Sequence, residues 1–149
     1  MRSGNTARHP CTGARSMFAN SKHNREYLSM FEQQDRGKQG EDEAEAFLSA
    51  LGYDIIERNY QYNRGEIDII ARDADYTVFV EVKSRSNERF GAPEYSVTAG
   101  KQSQLRRVAA GYMYEHGFAE LACRFDVVIV EFRNGSAECR HFIHAFTKM

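Results

Sequence analysis

The spacing of apolar positions changes along this chain, and each change marks an element. Ala44, Phe47, Leu48 and Leu51 recur at i, i+3, i+4 and i+7, which predicts a helix over 35–51, closed by Gly52. From Tyr53 helical spacing gives way to short runs rich in β-branched and aromatic residues, bounded by turn residues. It predicts strands over 53–60, 66–72 and 77–84, joined by a turn at Asn63-Arg64-Gly65 and a tight connection at Asp73-Ala74-Asp75. A polar stretch over 85–99, containing Gly91-Ala92-Pro93, reads as a loop. Leu105, Val108, Ala109, Tyr112 and Met113 then share one face of a helix predicted over 101–116, with Gly117 at its end. Residues 124–132 are almost continuously apolar, as expected of a central strand covered on both faces. Asn134-Gly135 signals a hairpin, and 139–146 returns as the last strand. The order α-β-β-β-α-β-β places the chain in the α/β class, with no internal repeat.

The strand pattern breaks in an informative place. The apolar run Tyr76 to Val80 leads into Glu81-Val82-Lys83, where Glu81 and Lys83 share a face and Val82 takes the other. A carboxylate and an ammonium both resist losing water, so such a strand end is a poor way to build a core and a sound way to build a site. On the preceding strand stands Asp68, in Gly65-Glu66-Ile67-Asp68. Asp68 and Glu81 on neighbouring strands could each give an oxygen to a hard cation such as Mg²⁺, or Mn²⁺ in its place, with the carbonyl of Val82 as a third ligand. Lys83 could orient an attacking water or a scissile phosphate. Glu66 shares the face of Asp68 and reads either as a second-metal ligand or as a solvated carboxylate. In the first helix Glu41, Asp42, Glu43 and Glu45 read as a solvated face or, for Glu41, as a site residue beside Gly37 and Gly40.

Charge adds one asymmetry. Residues 1–25 hold five basic residues and no acid, so with a net charge of −1 the remainder carries −6. That predicts a flexible basic tail over 1–29 and a domain over 30–149. The tail has no apolar core of a secretory signal, and its arginines and serines are only faintly like a transit peptide. An acidic body does not announce a nucleic-acid binder. No apolar stretch approaches the roughly 20 residues that span a bilayer, so no membrane partner is expected. Three cysteines, an odd number without a C-x-x-C, argue against a disulfide framework or zinc ribbon and suit a reducing, cytoplasmic setting.

Other polar residues carry weaker signals. Arg85, Arg89 and Lys101 surround the loop after Lys83 and read as phosphate contacts or as solubilising charge. Arg106 and Arg107 read as solvated, Arg124 and Asp126 as a pair on one strand face, and His141 and His144 as edge histidines. Tyr60 and Tyr62 could stack on bases, but packing is the commoner use of an aromatic at a strand end.

From Arg36 to Phe146 the chain resembles the bacterial YraN family, also called UPF0102. The match rests on Gly37, Gly40-Glu41, Ala44, Gly52-Tyr53, Arg58-Asn59-Tyr60, Gly65 to Ile70, Val78 to Arg85, Phe90-Gly91, Lys101 and Arg124 to Val128. That family is similar to archaeal Holliday-junction resolvases and, more widely, to restriction-endonuclease-like PD-(D/E)-x-K nucleases. The resemblance implies a mixed central sheet flanked by helices, and Asp68, Glu81 and Lys83 as the members of the motif. It implies Glu41 near the metal, because resolvases of this type place a glutamate on their first helix. It also implies DNA as the partner, branched or otherwise structured, and a homodimer. Ile67 stands where the motif has proline. The rival expectation is an adaptor that keeps the fold and binds nucleic acid without turnover; a structural cation site would leave Lys83 without a purpose.

Overall fold

Helix α1 (Lys22–Ala50) opens the described chain, followed by β1 (Asp54–Tyr62), β2 (Gly65–Asp73), β3 (Tyr76–Arg85), α2 (Ala99–Glu115), β4 (Cys123–Arg133) and β5 (Ser136–Phe146). The structure is a computed structural model that describes residues 22–85, 97–118 and 122–147. The chain divides into two compact units, Met1–Asp35 and Arg36–Met149. In the first, Tyr27 and Phe31 meet edge to face at 4.7 Å, one helical turn apart. The element order is the expected one, but α1 starts at Lys22, well before residue 35, so 22–29 is helical rather than a flexible tail. Leu51, assigned to the buried face, lies in the turn after the helix and is exposed.

The second unit is a sheet between two helices. Its five strands lie in the order β1-β2-β3-β4-β5. Short turns join β1 to β2, β2 to β3 and β4 to β5, so those pairs are antiparallel; β3 and β4 are parallel, which requires the crossover that α2 supplies. The middle strand is β3, with β4 inside the sheet beside it rather than at its centre.

Alternation divides the strand residues between two cores. On one face Ala44 and Leu48 of α1 pack on Ile69, Ala71, Val78, Val80, Val128 and Val130. On the other, Leu105, Val108, Ala109 and Tyr112 of α2 pack on Ile70, Phe79, Phe125 and Ile129. The aromatic rings cluster on the α2 side, where Tyr112 meets Tyr60 and Phe79 at 5.0 and 5.8 Å.

Small residues set how closely the layers approach. A Cβ on Gly40 would fall 1.7 Å from Ser84 Oγ and 3.0 Å from Ser84 Cβ, so α1 meets the end of β3 only because residue 40 has no side chain. On the other layer, a Cβ on Gly65 would meet Val108 at 2.4 Å, and one on Gly111 would meet the Tyr62 ring at 2.5 Å. These contacts draw the β1–β2 hairpin against α2.

One polar network lies within the sheet. Asp126 is fully buried and takes two contacts of 3.2 Å from Arg124 Nε, whose other nitrogens donate to Asp73 and Tyr53. His141 Nε2 stands 2.9 Å from Asp126 Oδ2, and the His144 backbone N–H donates to Oδ1. Arg124 and Asp126 pair as expected. His141 is not an ordinary edge histidine, because its side chain is only 7% exposed.

Candidate active site

The β2–β3 ladder runs from Asp73↔Tyr76 to Ile69↔Val80 and stops one rung before Asp68 and Glu81. Beyond that point the Val82 N–H donates to Asp68 Oδ2 at 2.7 Å. The aspartate side chain thus takes up a donor that a continuing antiparallel ladder would give to backbone. This is why an acid can sit between two strands. Its carboxylate satisfies the sheet while it keeps both strand ends apart.

Burial has an electrostatic consequence. Loss of water around Asp68, and then the neighbouring Glu81 charge, push its carboxyl up to about 7. The Val82 N–H and the Lys101 charge oppose this, and Glu41 adds to it. Asp68, Glu81, Lys101 and Glu41 therefore share one electrostatic neighbourhood at the end of β3. Glu81 is 11% exposed, and its Oε2 lies 3.0 Å from Lys101 Nζ. That ammonium is close but off the direction of a hydrogen bond, so buried Oε2 has a counter-charge and no directed donor. A carboxylate oxygen left so suits a cation better than it suits a core.

Glu41 reaches the same edge from α1. Its Oε2 accepts from Asn59 Nδ2 at 2.9 Å and from Arg58 at 3.4 Å, and Arg58 also pairs with Asp42 and Glu45. Asn59 adopts a positive φ of 52°, a conformation open to asparagine that turns its amide to the helix. The acidic run in α1 is thus partly a clamp on Arg58 and not simply a solvated face.

Each expected site residue has a definite place. Asp68 and Glu81 come together, Val82 is tied to Asp68 through its N–H, and Lys83 is half-buried on β3. Arg85 ends β3, and Lys101 faces Glu81 instead of open solvent. Arg89 lies outside the described residues. Among the described residues, no three His, Cys, Asp or Glu side chains stand close enough to hold an ion between them, so a cation here would rely on two carboxylates, backbone and water. The Lys101–Glu81 pair was missed in sequence; only the place of Lys101 in the first turn of α2 hinted at its reach.

With this geometry in view, comparison with known proteins gives a consistent result. Residues 40–130 match the model of the uncharacterised protein family UPF0102. A UPF0102 protein of Desulfosudis oleivorans is 48% identical over 107 residues, covering 72% of this chain and 87% of the relative. One of Symbiobacterium thermophilum is 48% identical over 111 residues, 74% of this chain and 94% of the relative. One of Moorella thermoacetica is 50% identical over 95 residues, 64% and 79% respectively. The matched span contains Glu41, Asp68, Glu81, Lys83 and Lys101.

Proposed function

The chain belongs to the UPF0102 family, and we propose that it is a metal-dependent nuclease that hydrolyses phosphodiester bonds in DNA, branched or otherwise structured. The observation that carries this reading is the end of the β2–β3 ladder, where buried Asp68 lies in the field of Glu81 and Glu81 Oε2 has Lys101 as a counter-charge but no directed hydrogen bond. No helix among the described residues is long and apolar enough to cross a membrane. A cytoplasmic setting, where DNA is the substrate, is part of this reading.

The donor set is all oxygen, which fits Mg²⁺ or Mn²⁺: Asp68, Glu81 and the Val82 carbonyl would hold the ion, with Glu41 adding negative charge nearby. Bound there, the cation would supply a water of lowered pKa and a counter-charge for the phosphate. The protein's own groups divide the remaining work. Asp68 must be ionised to hold the cation, so the metal-free protein should gain metal affinity as pH rises through about 7. Lys101 pairs with Glu81 at 3.0 Å and orients its side chain. Lys83, on the same strand face as Glu81, positions the attacking water or a phosphate oxygen. Arg85, Arg89 and Lys101 take the flanking phosphates. Two copies acting together would match the two symmetric strands of a four-way junction.

A second reading draws on the same ion pair. Lys101 already neutralises Glu81 at 3.0 Å, so the fold could keep this acid as an adaptor without metal or turnover. The test is a cleavage screen of duplex, flap, single-stranded and four-way-junction DNA with Mg²⁺, Mn²⁺ or EDTA. Wild type should cut at least one substrate with metal and none with EDTA. Lys83→Ala should slow single-turnover cleavage roughly 100-fold or more, the scale of one well-placed electrostatic group, while DNA affinity changes little. If wild type and Lys83→Ala bind junctions equally and neither cuts anything, the adaptor reading stands.

A further inference from the structure

At the tip of the β1–β2 hairpin the chain leans on α2 and leaves a cleft of about 460 Å³, lined by Tyr62, Arg64, Gly65, Gln104, Arg107 and Val108. Its walls are held in place. Gln104 Nε2 donates to the Arg64 carbonyl at 3.1 Å, and Gly65 lies so close to Val108 and Gln104 that a side chain there would collide. Arg64 and Arg107 enter from opposite walls, one on the hairpin and one on the helix, and both are exposed. Neither guanidinium has a hydrogen-bond or ion-pair partner among the described residues, although elsewhere Arg58, Arg106, Arg124, Arg133 and Arg140 are all engaged. Two free guanidiniums across a polar cleft are a receptor for phosphate oxygens, which such planar forks bind in pairs.

The cleft stands at a defined distance from the carboxylate edge. Along β2, Gly65 precedes Asp68 by three residues, about 10 Å at roughly 3.4 Å per residue. Along α2, Lys101, which touches Glu81, precedes Arg107 by six residues, about 9 Å at 1.5 Å per residue. Two independent elements therefore give the same separation, on the α2 side of the sheet. Successive phosphates of a duplex strand advance about 3.4 Å along its axis but lie farther apart than that through space, because the strand winds around the axis, so this span covers about one or two nucleotides.

We propose that Arg64 and Arg107 grip the sugar-phosphate backbone of the nucleic-acid strand about one or two nucleotides from the position presented to Asp68 and Glu81. This rests on the nuclease reading for the position of the strand, but not for the existence of the contact. Each phosphate neutralised on duplex DNA contributes about 0.9 to the slope of log affinity against log salt concentration.

The test uses the full chain and fluorescently labelled four-way-junction and duplex DNA, titrated at several salt concentrations. Arg64→Ala/Arg107→Ala should lower the salt slope by roughly 2, and Arg64→Lys/Arg107→Lys should restore most of it. Arg72→Ala, at the far end of β2, should leave the slope unchanged, and melting curves should show all variants folded. If wild type cuts, single neutral methylphosphonates placed along the strand should weaken wild-type binding about one or two nucleotides from the cut and leave the double alanine variant indifferent there. Equal slopes for wild type and the double alanine variant, with cleavage intact, would overturn the cleft and spare the nuclease reading. A lost slope in a protein that cuts nothing would keep the cleft and remove the nuclease. Absence of any DNA binding by wild type would overturn both.

Discussion

Removing the carboxylate most central to the site should make the metal-free protein more stable. Asp68 is held in the folded chain with its carboxyl raised from the ordinary 3.8 to about 7. At about 1.4 kcal/mol per pH unit, ionising it inside the fold costs about 4 kcal/mol once the pH is well above 7. Below 3.8 both folded and unfolded chains are protonated and there is no cost. Between 3.8 and 7 the folded state keeps a proton that the unfolded chain has released, so stability falls as pH rises and levels off above 7. Asp68→Asn carries no charge, and its amide oxygen can still accept from Val82 N–H. In EDTA at pH 8 the variant should therefore be more stable than wild type by up to about 4 kcal/mol, narrowing to about 1.5 kcal/mol at pH 5. Urea denaturation of both proteins at the two pH values measures the difference, and every titration common to both chains cancels. Mg²⁺ at 100 times its Kd should then add about 2.7 kcal/mol to wild type at pH 8, and little to Asp68→Asn. A variant less stable than wild type at pH 8 without metal, or a gap unchanged between pH 5 and pH 8, would refute the electrostatic account of this site.

Two further perturbations test the frame around it. Gly40→Ala should destabilise by about 1–3 kcal/mol through the clash with Ser84, despite a better helix former, and Ser84→Gly should relieve it in the double variant; thermal melts decide. Asp126→Ala should cost about 3–5 kcal/mol because it breaks a buried ion pair and leaves Arg124 Nε and the His144 N–H without their acceptor, and chemical denaturation should show this without loss of metal response at Asp68.

Much of this fold could be read in the chain because local signals agreed with one another. The turns at 63–65 and 73–75 and the apolar runs between them placed β2 and β3 to within a residue or so, and the Asn134-Gly135 turn placed the last hairpin. Glu81 and Lys83 stood out because charge interrupted an apolar run. The front of α1 was illegible for the opposite reason: residues 22–34 are helix-permissive but show no buried stripe, and Tyr27, Leu28, Met30 and Phe31 are all exposed. The cleft was hidden because Arg64 looked like part of a turn and Arg107 like a solvated helix residue; only the close approach at Gly65 unites them. His141 was misjudged because its partner Asp126 sits inside a run of apolar residues, where a buried acid leaves no periodic trace.

The place where the β2–β3 ladder ends also constrains how such a gene can change. Asp68 and Glu81 lie one rung past Ile69↔Val80, so their meeting depends on the number of rungs counted back to the turn. A codon gained or lost inside one strand, between Ile69 and Arg72 or between Thr77 and Val80, would turn every later side chain to the other face and separate the acids. A matched change of one codon in each strand would keep the acids opposite each other but carry both to the other face of the sheet. The sequence interval between the two acids is thus a count kept by the hairpin, and closed to single steps.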